Sequence, residues 1–86
     1  MMPTAVRDTI REALTGDTFN DAEKWVIEWQ FERLGSFQKA LAEAICRASG
    51  GNLELLERGF PMQVHGFLAW RDGDLGRRLR NFGIEI

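Results

Sequence analysis

Apolar residues recur three and four positions apart along almost the whole chain, and glycines fall where such runs should stop. Val6, Ile10 and Leu14 sit four apart with Ala13 beside them, which predicts a helix from about Pro3 to Thr15. Proline suits a first helical turn, and Gly16 suits the left-handed residue just past a helix end. Arg7, Asp8, Arg11 and Glu12 fall off the stripe and read as a wetted face. Asn20 with Glu23 three positions on has the spacing of a capping box and opens a second helix that continues to Leu34. Gly35 breaks or bends the run, and a break is the simpler reading. Ser36 caps a third helix from Phe37 to Ser49, whose apolar residues Phe37, Ala40, Leu41, Ala44, Ile45 and Ala48 keep helical spacing without a miss.

Gly50-Gly51 reads as a turn, after which Asn52 caps a short helix from Leu53 to Arg58 that Gly59 ends. Phe60 can then fold back on Leu55 or Leu56 in a Schellman-type stop. Pro61 starts a helix to about Arg71 carrying Val64, Phe67, Leu68 and Trp70. Asp72-Gly73 turns the chain, Asp74 caps, and a last helix from Leu75 to Asn81 aligns Leu75, Leu79 and Phe82. The tail Ile84-Glu85-Ile86 alternates like a strand but has no partner strand, so a docked or frayed end is expected. The expectation is an all-α fold, one domain over residues 1–86, made of a small bundle of five or six short helices with no convincing sheet.

The second helix has apolar residues on two sides. At about 100° per residue, Ala22, Trp25, Val26 and Trp29 form one stripe, while Ile27, Phe31 and Leu34 form another on roughly the opposite side. Lys24, Glu28, Glu32 and Arg33 are squeezed between them. Either the other helices wrap this one, or one of its faces meets another protein. On the second reading Trp25, Ile27, Trp29, Phe31 and Leu34 are the partner-binding residues, and a homodimer is the simplest partner arrangement.

Composition narrows the choices. Eleven Lys+Arg against thirteen Asp+Glu leave a formal charge of −2, too weak for a general nucleic-acid binder. A single cysteine, Cys46, forms no internal disulfide and is expected to pack in the core. No apolar run approaches the roughly 18 residues of a membrane span, and no charged start leads into an apolar signal core, so a cytoplasmic protein is expected.

Little in the chain suggests catalysis or cofactor binding. His65 is the only histidine, mid-helix between Val64 and Gly66, and reads as an ordinary structural or surface residue. Asp17, Asp21, Glu28 and Glu32 could be grouped as an acidic pair or cation site, yet the Glu-His spacing of a carboxylate-bridged di-metal bundle is missing. Gly50-Gly51 lacks the Lys and Ser/Thr of a phosphate-binding loop. No metal and no cofactor are expected. Residues 64–82 resemble a helix-turn-helix unit through Leu68, Ala69, Gly73, Leu79 and Phe82, which would place Arg77, Arg78 and Arg80 on a recognition helix. Asp72 and Asp74 flank the turn glycine where apolar residues normally lock the two helices, and both would face phosphates.

Glu28-Trp29-Gln30-Phe31, then Ala44-Ile45 and Ala48, then Asn52-Leu53, Gly59-Phe60-Pro61 and Trp70 resemble small uncharacterised helical proteins carried by bacteriophages and prophages, over residues 19–70. The resemblance implies a phage-encoded accessory protein of the host bacterial cytoplasm that binds a host or phage protein, anti-defence inhibitors such as anti-CRISPRs included. The expected function is therefore a non-enzymatic protein–protein interaction module acting through an apolar helical surface. A DNA-binding regulator using residues 64–82 is the alternative.

Overall fold

A computed structural model of the chain describes residues 4–85, with side chains described from Val6 onward. Among these residues are six helices and no strand: α1 (Thr4–Thr15), α2 (Asp21–Gln30), α3 (Ser36–Arg47), α4 (Gly51–Gly59), α5 (Pro61–Arg71) and α6 (Asp74–Phe82). The fold is the small all-α bundle that the spacing predicts. Pro3 and Ile86, expected in the first helix and the tail, lie outside the described residues.

The Asn20 capping box is complete: the Glu23 N–H donates to Asn20 Oδ1 and the Asn20 N–H to Glu23 Oε1, each at 2.9 Å. The other expected caps differ. Ser36, Asn52 and Asp74 all lie inside the first turns of their helices, and Gly35, Gly50 and Gly73 stand at the cap positions without a side-chain bond. Neither Gly16 nor Gly59 is left-handed; among the glycines only Gly50, Gly73 and Gly83 have positive φ. The backbone of Phe60 closes α4 by donating to Leu56 O at 2.7 Å.

The largest difference is the end of α2, which stops at Gln30 rather than Leu34. Glu32 takes a left-handed φ of 55°, the Glu32 N–H donates to Trp29 O at 3.1 Å, and the Arg33 N–H donates to Glu28 O at 2.7 Å. That is a full Schellman stop built on a glutamate. At the far end of the chain Gly83 does the same for α6, and the Ile84 N–H reaches Leu79 O at 2.8 Å. Ile84 is thereby docked in the core.

The hub of the bundle is α5, against which α2, α3, α4 and α6 all pack, while α1 covers α2. Its Val64, Gly66 and Phe67 are buried, and Leu68, Ala69 and Trp70 are half-buried, as suits a helix with apolar residues most of the way round. The α2–α5 contact is close because Gly66 has no side chain: a Cβ there would stand 2.4 Å from Ala22 O. The aromatic rings of Trp25, Trp29, Phe67 and Trp70 fill the same interface, with Trp29 and Trp70 edge to face at 5.2 Å. Trp25 Nε1–H donates to Gln38 Oε1 at 3.0 Å, which ties α2 to α3. The radius of gyration, 13.1 Å, exceeds the roughly 12 Å expected for so short a chain, and the extents of 41 × 26 × 19 Å show a flattened, elongated body.

Candidate protein-docking surface

Among the described residues the two most exposed large apolar side chains lie on α3 and α4, with Val6 of α1 exposed to a lesser degree. In α3 the core takes Leu41, Ala42 and Ile45. At about 100° per residue that buried stripe is centred roughly a third of a turn away from the centre of Phe37, Ala40 and Ala44, which stay exposed. Phe37 keeps 63% of its surface in solvent, with its ring 6.2 Å from that of Phe60. The α4 helix carries Leu53, Leu55 and Leu56, yet none of its residues is fully buried, and Leu55 is 62% exposed. α4 leans on α5 and makes little contact with α3. Between the two runs an open groove of about 440 Å³, lined by Ala44, Arg47, Ala48, Asn52, Leu55 and Leu56.

Charges alternate along the solvent sides of the two helices, and of these Arg47 lines the groove. Lys39, Glu43 and Arg47 follow one another at i, i+4 and i+8 along α3, and Glu54 and Arg58 stand four apart on α4. All five are exposed, and among the described residues none of them is in an ion pair. The charges that do pair lie elsewhere: Asp8 with Arg11, Glu57 with His65, Arg71 with Asp72, Asp74 with Arg77, and Glu23 with Arg78.

The residues expected to bind a partner are placed differently. Ile27 is fully buried and Trp25 nearly so, which makes both core residues; a partner could reach them only if the bundle opened. Trp29 is half-buried within the aromatic interface. Phe31 and Leu34 fall beyond the end of α2, so the second stripe does not exist as a helix face; both are half-buried against the core. Phe31 also lines a depression of about 400 Å³ with Val6, Arg80, Gly83, Ile84 and Glu85. The surface that stays open was visible in sequence only as half of the α3 stripe, and nothing in the spacing says which half the core will take.

The cationic helix is partly committed to the fold. Arg78 pairs with the buried Glu23, donates to Thr18 O at 3.0 Å and lies over the Phe19 ring at 5.3 Å. It works as a strut between α6 and the start of α2, not as a free contact to nucleic acid. Arg77 is held by Asp74, and Arg80 is exposed. Asp72 and Asp74 stand exposed at the N-terminal end of α6, where a recognition helix would approach base edges.

His65 lies on the surface, its Nε2 3.4 Å from Glu57. Cys46 is exposed rather than packed in the core, because it falls on the side of α3 away from Leu41 and Ile45. Partial burial of the thiol raises its pKa, Arg47 works in the opposite direction, and Glu43 adds to the rise. A thiol shifted that way is a poorer nucleophile at neutral pH. Glu28 and Glu32 do not form a helical pair, since Glu32 sits in the turn. Among the described residues no group of three His, Cys, Asp or Glu side chains converges as a metal site would need, and no helix is long and apolar enough to cross a membrane. Comparison with protein-family models, with curated proteins and with solved structures returned no match.

Proposed function

We propose that the protein is a non-enzymatic interaction module that docks a protein partner on the apolar face between α3 and α4. The observation that carries this reading is that α4 leaves Leu55 62% exposed and Leu53 and Leu56 only half-buried, beside an α3 face that leaves Phe37 in solvent. A single exposed leucine is ordinary, but a contiguous apolar strip with a groove in it favours association. Covering Phe37 and Leu55, each exposed over about three fifths of its surface, is worth about 2–4 kcal/mol together. The resemblance to phage-borne proteins supplies the setting of this proposal: a bacterial cytoplasm, with a host or phage protein as partner.

A photo-crosslinking amino acid placed at Leu55 and, as a control, at Arg7 in bacterially expressed protein tests the reading. A discrete protein adduct is expected from position 55 and none from position 7. No adduct from position 55 overturns it.

A further inference from the structure

We infer that α4 is a hinged flap. It swings on glycines at its two ends between the open position described above, leaning on α5, and a closed one in which Leu55 lies on Ala44 and Ala48 of α3. Closure shuts the groove; that this also controls a partner's access rests on the docking reading, whereas the motion itself does not.

Glycines locate the hinges. Gly50 joins α3 to α4 at φ 54° and ψ −126°, backbone that side-chain-bearing residues rarely adopt. Gly51 and Gly59 are the first and last residues of α4. Neither has a left-handed φ, and a Cβ at either would meet nothing within 4 Å. That sets them apart from Gly66, where a backbone carbonyl of α2 fills the space. Glycine that packing does not ask for loosens a helix end, because it adds backbone freedom there. Among the described residues, the helix so bracketed is the only one that buries no residue fully.

The walls of the groove set the direction of swing. At about 100° per residue, the half-buried Leu53, Leu56 and Glu57 share the side of α4 turned to the core. Asn52, Leu55 and Gly59 lie about a third of a turn round, and Asn52 and Leu55 line the groove with Leu56. The helix thus has two apolar sides joined at Leu56, one in use and one facing α3 across open space. Opposite Leu55 stand Ala44 and Ala48, small enough for two helix axes to approach to about 8–10 Å. Little holds the pair apart or together as it stands: α3 and α4 make slight contact, and Arg47 on the groove wall is in no ion pair among the described residues. Closing takes Leu55 out of water and loosens Leu53 from the core, so one apolar contact offsets the other and both positions are populated.

Disulfide trapping on dilute purified protein reads the motion. With Cys46→Ser to remove the native thiol, Ala44→Cys and Leu55→Cys place one thiol on each wall, both at exposed positions that the fold tolerates. The open groove of about 440 Å³ separates them, and a disulfide needs their Cβ atoms within about 4 Å. In a glutathione buffer an internal bond is expected, which intact mass distinguishes from linked chains. Adding Gly51→Ala and Gly59→Ala, which fill open space, should leave circular dichroism unchanged and slow the bond at least about fivefold by stiffening the hinges. No internal bond, or one that forms as fast with both alanines in place, overturns the flap. The trap needs no partner, so a failed capture from position 55 beside a bond that forms strikes the docking face and not the hinge.

Discussion

Single residues in this bundle decide how closely its helices approach and where they stop. Gly66 is the sharpest case, since the space a Cβ would need holds a backbone carbonyl of α2, not the flexible end of a side chain. Relief would require the α2–α5 pair to separate, and that pair carries the aromatic interface of Trp25, Trp29, Phe67 and Trp70. Gly66→Ala is therefore expected to destabilise the fold by about 1–3 kcal/mol, even though alanine is the better helix former. Urea denaturation checks this, and a variant as stable as the wild type would show that the two helices are not in such close contact. Glu32 is the opposite case, a residue whose identity does not announce its conformation. Left-handed backbone costs a non-glycine residue about 1–2 kcal/mol, and here two turn hydrogen bonds and the docking of Leu34 offset it. Sequence spacing could not place the end of α2, because a glutamate carries no stop signal and the glycine three residues later does.

At the scale of elements, number and type were legible and facing was not. Six runs of helical spacing became six helices, since periodicity, Pro61 and the Asn20–Glu23 pair are local properties that tertiary packing did not override. Which side of a run is buried depends on its neighbours. The doubled stripe of α2 proved to be an inner helix whose second stripe is cut off by the turn at Glu32, and the α3 stripe was divided, Leu41 and Ile45 turning inward and Phe37 outward. The candidate surface was thus unreadable in advance for a physical reason: a wide apolar arc specifies that something covers it, not what. The division makes a paired prediction. Ile45→Ala, at a fully buried position, should cost about 2–5 kcal/mol, while Leu55→Ser should change stability by no more than about 0.5 kcal/mol when measured on dilute protein. Equal losses at the two sites would mean that α4 is packed more deeply than its exposure shows.

For the molecule as a whole, the distribution of burial implies unequal stability. α2 and α5 hold Trp25, Val26, Ile27, Val64 and Phe67 in the core, and the Arg78–Glu23 pair fastens α6 to the start of α2 across 55 residues of sequence. α4 contributes no fully buried residue, makes little contact with α3, and is joined to α3 through Gly50 at a φ of 54°. Local opening follows such differences, because a segment that buries little apolar surface costs little free energy to open. Amide exchange followed by mass spectrometry should therefore find peptides from α4 exchanging well before those from α2 and α5 in dilute solution. A partner that covers α4 should raise its protection with the partner's concentration by mass action, while the slow exchange of α2 and α5 changes far less, since those helices are covered already. Protection of α4 that is high when dilute and does not change with concentration would place the exposed leucines in a rigid monomer, and would remove the physical reason for the surface to be occupied at all.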